Sequence, residues 1–569
     1  MRIFWKIVKQ AMELGTSADK RSFSTVTKLT YEDAVYALNG LQSNAAVLEK
    51  ARKERSVNAY KNLKNTEKFL KKLDITPTDL DRLNIIHISG TKGKGSTCAF
   101  TESVLRRRGV KTGFYSSPHL VAVRERIRIN GKPLCKEMFT SYFWKVYNKL
   151  KLQEKAEEVS MPPYFMFLTI MAFYVFLQEK VEVAIIEVGV GGLYDNTNIV
   201  RSPVATGVTS LGYDHVAVLG KTIEEIAWQK AGIFKTGVPA FTVSQPQEAM
   251  KVLQKKASEI NCSLHVVPPL STYEWEKVMK LGIPGDVQTM NASLALQLCQ
   301  SWINQKKQDS SQKKVSTVFP LNLGADHHYL PPPLASPFLI STKFAEGLQN
   351  CRWPGRHQTI HRDSITYFLD GAHTAESMIP CVRWYTECIK KIESNIGDIY
   401  KVLLFNCTGE RKAETLLTPL IDIPFDLVVF SPNKLDLTKD ATSDQSNFTV
   451  DPDKELIQCE RNMKVWNYLL SSVYEEEISS NAAGTLSKSL LSHSSEQNNN
   501  NTVVFSCLKD ALQFICRNHD SDLRKKVPIP NSSFPLNSIT AKHLSLFVTG
   551  SIHLVGNVLS LIDPELQEH

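Results

Sequence analysis

The stretch "ISGTKGKGSTCAF", residues Ile88–Phe100, decides the fold. An apolar, β-branched run ends at Ile88, three glycines and two lysines follow, and a helix-compatible run extends from Ser96 to Arg108. A strand, a glycine-rich turn and a helix in this order present backbone N–H groups to a phosphate. The pattern therefore predicts a phosphate-binding loop at the carboxyl end of a buried strand.

Each part of this loop has a predicted task. The glycines allow the backbone to curl closely around an anion, Lys94 offers a charge to the β and γ phosphates, and Ser96 offers a hydroxyl to Mg²⁺. The loop departs from the pattern G-x-x-x-x-G-K-[ST], because Ile88 stands where that pattern needs glycine and Gly95 where it needs Ser or Thr. The alternative is an ordinary glycine turn with surface lysines. The candidate nucleotide-binding residues are Gly90, Thr91, Lys92, Gly93, Lys94, Gly95 and Ser96.

Short β-branched runs recur along the chain, with longer helical patterns between many of them. This alternation favours an α/β fold with parallel sheets and helices on both faces. The predicted strands are Ile85–Ile88, Val183–Val188, Val204–Val208, Val402–Phe405, Leu427–Phe430, Val503–Phe505 and Leu544–Val548.

The chain has 569 residues, which suggests two or three domains. Two polar segments interrupt the alternation: residues 305–337, read as a loop or linker, and residues 475–501, read as a low-complexity insertion. We therefore predict a first domain over residues 31–340 that contains the glycine loop, and a second over residues 341–569 that carries the insertion.

Composition excludes several classes of protein. The chain is 42% hydrophobic and 22% charged, as in soluble globular proteins. A net charge of +9 without clustered Lys/Arg tracts argues against nucleic-acid binding, and eleven scattered cysteines without a CxxC pair argue against a disulfide framework or a structural zinc site. The longest apolar run, Tyr164–Leu177, is shorter than the roughly 20 residues of a membrane span. We read it as a buried helix.

The amino terminus, residues 1–30, mixes basic and apolar residues, has few acids, and continues into the Ser/Thr-rich "RSFST". This composition resembles a mitochondrial presequence, and the alternative is an ordinary surface helix. We expect the protein in mitochondria, in the cytoplasm, or in both.

A set of longer motifs carries a family resemblance. The motifs are "YSSPHLVAVRERIRING" (115–131), "IIEVGVGGLYDNTNI" (185–199), "LGYDHVAVLGKTIEEIAWQKAGIFK" (211–235), "NASLALQL" (291–298), "RWPGR" (352–356), "LDGAHT" (369–374) and "FVTGSIHLVG" (547–556). In chain order the set resembles the eukaryotic form of the folylpolyglutamate synthase family, which belongs to the Mur ligase-like superfamily. The resemblance implies a P-loop-containing Mur ligase-like ATPase domain and a second, smaller Rossmann-like α/β domain.

The implied reaction adds L-glutamate to the γ-carboxylate of tetrahydrofolate and of folylpolyglutamates. It uses ATP, passes through an acyl phosphate, and releases ADP and phosphate. The implied cofactors are ATP and Mg²⁺, with a monovalent cation such as K⁺ as a further candidate. The implied partners are these small molecules, without nucleic acid or a membrane span, and we expect a monomer. A dihydrofolate synthase, a bifunctional enzyme, a Mur-type peptide ligase and a nucleotide-binding switch remain as alternatives.

The resemblance also assigns metal ligands and catalytic residues. Glu187, at the end of an apolar run, and His215 match metal ligands of the family, and Ser117 resembles its hydroxyl ligand. Lys230, near the end of a helix that Thr222 and Glu225 would cap, matches a lysine that the family typically carries as an anionic carbamate. Unmodified, such a lysine would neutralise the helix carboxyl end. The catalytic candidates are Lys94, Glu187, His215 and Lys230.

Four further residues resemble contacts to ATP. Asn291 matches a position near the adenine, and its alternative is a plain helix N-cap. Arg356 and Asp370 match a guanidinium for phosphate charge and a carboxylate for ribose hydroxyls, and His373 is expected in the same crevice. The stretch Tyr31–Asn44 resembles the start of the eukaryotic members, where we expect it near the pterin.

Overall fold

The computed structural model of the chain describes residues 29–42, 55–157, 160–311, 331–408, 411–436, 443–445, 452–481, 501–527, 539 and 541–566. Of the predicted presequence, residues 1–28 lie outside the described residues. Two large sheets with helices on both faces form the framework, and each sheet belongs to one module. The predicted α/β class is confirmed.

The first module is built on an eight-stranded sheet. Its strands are β1 (Ile86–Ser89), β2 (Thr112–Tyr115), β3 (Ile127–Ile129), β4 (Lys132–Pro133), β5 (Val183–Glu187), β6 (Ala205–Val208), β7 (Ala240–Thr242) and β8 (Leu264–Val266). They are ordered β4-β3-β2-β5-β1-β6-β7-β8, and only β3 and β4 run antiparallel to their neighbours. A two-stranded parallel sheet joins β9 (Glu274–Trp275) to β10 (Leu339–Ile340).

Strand β5 shows why both faces of this sheet are covered. Val183 and Ile185 point into one apolar core, and Ala184 and Ile186 point into the core on the opposite face. A strand of consecutive apolar residues can bury both faces in this way, because successive side chains alternate across the sheet.

The α-helices of the first module are named here in chain order. They are α1 (Tyr31–Asn39), α2 (Arg55–Lys72), α3 (Pro77–Asp81), α4 (Lys94–Arg107), α5 (Lys136–Glu157), α6 (Tyr164–Gln178), α7 (Val216–Leu219), α8 (Ile223–Ala231), α9 (Gln247–Glu259), α10 (Val287–Ser311) and α11 (Thr342–Gln349). Short 3₁₀ helices lie at Val123–Arg126, Asn196–Ile199 and Leu270–Thr272. The buried helix predicted at Tyr164–Leu177 is α6, and within the described residues no helix is long and apolar enough to cross a membrane.

The second module has a six-stranded sheet in the order β11-β12-β16-β13-β14-β15, in which only β11 is antiparallel. Its strands are β11 (Gln358–Arg362), β12 (Ile365–Leu369), β13 (Tyr400–Phe405), β14 (Leu427–Phe430), β15 (Thr502–Val504) and β16 (Leu544–Thr549). Its helices are α12 (Ala375–Ile396), α13 (Ala413–Leu417), α14 (Pro452–Asn481), α15 (Leu508–Cys516), α16 (Ser521–Lys526) and α17 (Ile552–Ile562), with a 3₁₀ helix at Thr418–Leu420.

The two predicted polar segments are partly helical. Helix α10 continues through residues 305–311 of the first, since its lysines and glutamines are good helix formers on an exposed face. Helix α14 continues through residues 475–481 of the second, whose residues 482–500 lie outside the described residues. Helix α11, which follows the domain limit predicted at residue 340, packs against α4 and the first core.

Candidate active site

The glycine loop lies between β1 and α4, in the middle of the first sheet. The N–H groups of Thr91 and Lys92 donate to the carbonyl oxygen of Ser210, at 3.0 and 3.1 Å, and this fixes the first half of the loop. The N–H groups of Lys94 and Gly95 belong to the first turn of α4 and have no acceptor within the helix. The second half of the loop is therefore the part that can bind an anion.

Two glycines of the loop are required by close neighbours. Gly93 has φ 87°, and a Cβ atom there would lie 2.2 Å from Oδ1 of Asn291. A Cβ atom at Gly95 would lie 2.9 Å from Nε1 of Trp353, in the segment that joins the two modules. Asn291 and Trp353, both distant in sequence, thus approach the loop backbone so closely that only glycine fits at these two positions.

A cavity of about 690 Å³ opens above the loop and is lined by both modules. The first module contributes loop residues from Thr91 to Ser96. The predicted site residues Ser117, Glu187, His215, Asn291, Arg356, Asp370 and His373 also line it. The structure thus brings together residues that are up to 282 positions apart, from Thr91 to His373.

Glu187 and Ser117 form a polar pair in the wall of this cavity. Glu187 ends β5 and is only 4% exposed, and its Oε2 accepts a hydrogen bond from the Ser117 N–H at 3.2 Å. Burial raises the pKa of Glu187, while the nearby cations Lys94 and Arg356 oppose that rise. The carboxylate is thus buried beside cationic groups from both modules.

Lys92, Asp214 and His373 connect the glycine loop to the second module. Nζ of Lys92 donates to Oδ2 of Asp214 at 3.0 Å and lies 3.4 Å from Nε2 of His373. Nδ1 of His373 donates to the carbonyl oxygen of Gly371 at 2.8 Å, and its Nε2 lies 3.8 Å from Oδ2 of Asp214. Burial would raise the pKa of Asp214, but His373 and Lys92 outweigh it and hold that pKa well below its usual range.

Asp370 organises the second module's part of the cavity. Its Oδ1 accepts from the Ala372 N–H and its Oδ2 from the His357 N–H, both at 2.8 Å. Arg356 precedes His357 and faces the cavity. Each carboxylate oxygen has a further lone pair for a ligand, so Asp370 can hold this loop and still accept a hydroxyl.

Comparisons with known proteins show which family the chain belongs to. A scan against models of protein families finds no match. The chain is 44% identical over 562 residues to "Folylpolyglutamate synthase, mitochondrial" of Bos taurus, with 95% of this chain and 93% of that protein covered. The Homo sapiens protein of the same name is 44% identical over 559 residues, with 95% and 93% covered. The chain belongs to the folylpolyglutamate synthase family.

A solved structure supports the fold of this folylpolyglutamate synthase family member. Mycobacterium tuberculosis folylpolyglutamate synthase, complexed with ADP, matches with a TM-score of 0.62 at 19% identity, and the match covers 94% of this chain and 99% of that chain. The predicted α/β fold with two domains is confirmed.

Two residues of the predicted folylpolyglutamate synthase site lie behind the cavity wall. Lys230, near the end of α8, is 3% exposed, and its Nζ donates to the carbonyl oxygen of Gly90 at 2.7 Å. Nζ of Lys94 donates to the same carbonyl at 3.2 Å. Gly90 therefore serves the loop through its carbonyl oxygen, which accepts hydrogen bonds from both lysines.

The prediction that Asn291 heads its helix is wrong. Helix α10 begins at Val287, and Asn291 lies in its second turn, buried against the glycine loop. Its Nδ2 donates to Oε1 of Gln288 at 2.9 Å, and its Oδ1 accepts from Oγ1 of Thr97 at 3.4 Å. The N-cap alternative is therefore excluded, and Asn291 packs directly under Gly93.

The candidate metal ligands fit Mg²⁺ in part. Mg²⁺ prefers oxygen ligands, which Glu187 and Ser117 offer, and the single 3.2 Å hydrogen bond to buried Glu187 leaves a carboxylate that a cation would stabilise. The side chain of His215 is 51% exposed at the cavity rim, where burial of its ring still lowers its pKa. Lys230 fits only as a carbamate. Within the described residues no group of three or more His, Cys, Asp or Glu side chains is arranged to hold a metal ion.

The sequence did not predict the apolar end of the cavity. Tyr115, Phe165, Thr169 and Tyr194 line it together, and the side chain of Phe165 is 56% exposed. Phe165 lies at the start of α6, whose apolar run suggested only a buried helix. The sequence offered only the position of Phe165 in "MPPYF" at the start of an apolar run, and periodicity could not separate it from the core.

Proposed function

We propose that this chain catalyses the ATP-dependent addition of L-glutamate to the γ-carboxylate of tetrahydrofolate and its polyglutamates. The γ-phosphoryl group of ATP passes to the folate carboxylate, which gives an acyl phosphate and ADP. The neutral amine of L-glutamate attacks the acyl carbon, and phosphate leaves as the amide forms. Activation is needed because a carboxylate is a poor electrophile for an amine.

One observation carries this proposal: Lys94 and Glu187 of the first module share a cavity with Arg356 of the second. Phosphoryl transfer depends mainly on positioning and on cationic groups that stabilise the developing charge. A cavity walled by two modules can close over the substrates and exclude the water that would hydrolyse an acyl phosphate. We expect such closure during turnover.

We propose the residue roles from the family resemblance, and the shared cavity supports them. The loop from Thr91 to Ser96 binds the triphosphate, with the helix end of α4 and Lys94 facing its charge. Asn291 lies on the adenine side, and Arg356, Asp370 and His373 approach the nucleotide from the second module. Gly90 and Lys230 hold the loop from below.

The metal site is proposed at Ser117, Glu187 and His215, with Lys230 as a ligand after carbamylation. Bound Mg²⁺ would neutralise charge on the triphosphate, and K⁺ is a further candidate cation. Burial holds the pKa of Lys230 well below its usual value, which favours the neutral amine that reacts with CO₂. Family resemblance supports this site.

The apolar end of the cavity is the proposed folate site. Phe165 and Tyr194 offer exposed aromatic surface to a planar ring, and the buried pair Tyr115 and Thr169 lies in the wall beside them. We further propose that the protein acts as a monomer in mitochondria, in the cytoplasm, or in both. Two relatives named mitochondrial and the composition of residues 1–30 support the mitochondrial location.

The test is an ATP turnover assay with tetrahydrofolate and L-glutamate, each omitted in turn, in which the mass of the folate is followed. We expect ADP release only with all components present and stepwise gain of glutamate. Glu187→Gln should abolish turnover, whereas Glu224→Gln, the same change at an exposed position of α8, should preserve it.

Other outcomes would overturn the proposal. Turnover with dihydropteroate as the only acceptor would identify a dihydrofolate synthase, and turnover with both acceptors a bifunctional enzyme. Nucleotide binding without turnover on either acceptor, unchanged by Glu187→Gln, would indicate a nucleotide-binding switch.

A further inference from the structure

Residues Ser443–Gln445 of the second module, here called the strap, contact the first module at α1. The strap follows β14 in the chain. Nδ2 of Asn39 donates to the Ser443 carbonyl oxygen at 3.1 Å, and the Tyr31 hydroxyl donates to Oδ1 of Asp444 at 2.6 Å. The strap thus joins two segments about 400 residues apart, with 413 positions between Tyr31 and Asp444.

The strap also holds the loop of residues 117–123, here called the Ser117 loop. The Val123 N–H donates to Oδ1 of Asp444 at 2.7 Å, the same oxygen that accepts from Tyr31. Nε2 of Gln445 donates to the Val121 carbonyl oxygen at 3.1 Å. One carboxylate oxygen therefore binds α1 and the Ser117 loop together.

The Ser117 loop is packed between the two modules. Leu120 belongs to the apolar core of the second sheet, and a Cβ atom at Gly556 of α17 would lie 2.0 Å from its carbonyl oxygen. At the other end of the loop, the Ser117 N–H donates to Glu187 in the cavity wall. The loop therefore connects the second module directly to the candidate metal ligands.

The internal shape of the loop does not depend on the strap. Glu125 accepts hydrogen bonds from the N–H groups of Leu120, Val121 and Ala122, so the turn is closed by its own neighbour. The strap instead adds contacts from the second module to this closed turn, because Asp444 and Gln445 bind it at Val123 and Val121.

We propose that Asp444 and Gln445 are positioning residues that hold Ser117 against Glu187 for phosphoryl transfer. The inference rests on the proposed function, since it assigns the strap to that reaction. The proposal also gives α1 a role. Tyr31 is not among the described residues that line the cavity, but it supports the strap through Asp444. A shift of reacting groups by about 1 Å can lower the rate by about a hundredfold, so a residue that only positions Ser117 can still affect catalysis.

The test compares Asp444→Ala, Asp444→Asn and the control Arg383→Ala. Asp444→Ala removes both hydrogen bonds of Oδ1, whereas the amide oxygen in Asp444→Asn can accept both. Arg383 forms an exposed ion pair with Asp286 across the two modules, at 3.1 Å, and does not contact the Ser117 loop. The kcat, the KM for ATP, the Mg²⁺ concentration for half-maximal rate, and the Tm are measured for each.

We expect Asp444→Ala to lower kcat by about tenfold to a hundredfold and to raise the Mg²⁺ requirement, with the KM for ATP within about twofold. Asp444→Asn and Arg383→Ala should stay near wild type. A wild-type kcat and Mg²⁺ requirement in folded Asp444→Ala, even with a lower Tm, would overturn the proposal. If Asp444→Ala does not fold, Gln445→Ala takes its place, with the same two outcomes. Failure of the wild-type chain to turn over tetrahydrofolate would instead refute the proposed function.

Discussion

Nζ of Lys230 lies 2.7 Å from the carbonyl oxygen of Gly90, at the start of the glycine loop. Lys230 is the last residue but one of α8, and the same carbonyl also accepts from Lys94. A buried amine therefore supports the glycine loop through its first carbonyl oxygen.

Lys230→Met should lower kcat by at least about tenfold, because the loop carbonyl loses a donor and a carbamate can no longer form. The change should have little effect on the free energy of unfolding, since it also removes a buried polar group that is costly to desolvate. Steady-state kinetics and urea unfolding measure the two effects. In the wild-type chain, ¹³C-bicarbonate should give a carbamate carbon resonance that the variant lacks. Identical spectra of the two proteins would refute carbamylation.

Gly93→Ala should abolish nucleotide binding, because the new methyl group would overlap with Asn291. Gly397→Ala is the matched control: Gly397 has φ 91°, close to that of Gly93, but a Cβ atom there meets no heavy atom within 4 Å. The control should lose only about 1 kcal/mol of stability and keep ATP affinity. Calorimetric titration with ATP decides the case, and equal affinities in both variants would contradict the assigned role of this contact.

Acidification should destabilise the fold through His87, a fully buried residue whose Nε2 lies 2.9 Å from Oγ1 of Thr197. Burial lowers its pKa from 6.5 to about 3. Below pH 6.5 the unfolded chain binds a proton that the folded chain does not, so the free energy of unfolding falls as the pH falls. In His87→Gln the slope of the free energy of unfolding against pH should be smaller by up to about 1.4 kcal/mol per pH unit. Urea unfolding at several pH values from 7.5 to 5.5 tests this, and parallel slopes would speak against it.

Phe165→Ala should raise the KM for tetrahydrofolate by about tenfold or more and leave the KM for ATP unchanged. Burying an aromatic side chain against a ligand contributes about 1.5 to 3 kcal/mol, and the side chain of Phe165 in the cavity wall is 56% exposed. Tyr468→Ala changes another exposed aromatic residue, on α14, and serves as the control. An equal change of both KM values would contradict a folate site at this end.

The sequence predicted the strands and the glycine loop because both have local signals. Runs such as Leu427–Phe430 are apolar at every position, and the structure has a strand there with the same bounds. The start of α10 was missed because Asn291 is a good N-cap in isolation, whereas the structure uses its amide against Gly93. Local propensity yields to a tertiary contact at this position.

The geometry of the site was less accessible to sequence reasoning. Glu187 and Arg356 were predicted from motifs, but their shared cavity depends on how two sheets meet. No local pattern indicates that Asp444, in a polar stretch of the second module, accepts a hydrogen bond from Tyr31. Contacts between residues several hundred positions apart have no periodicity to reveal them.

The indole of Trp353 anchors the segment between the modules against the first module. Its ring lies against Gly95 and 5.3 Å from that of Phe114, and the guanidinium of Arg128 lies 5.0 Å from its centroid. A pivot placed here is only three residues from Arg356. Rotation about such a pivot displaces each point in proportion to its distance, so the far rim of the second module would move much further than Arg356. We therefore expect closure of the modules to change the distance between Arg356 and the glycine loop only slightly.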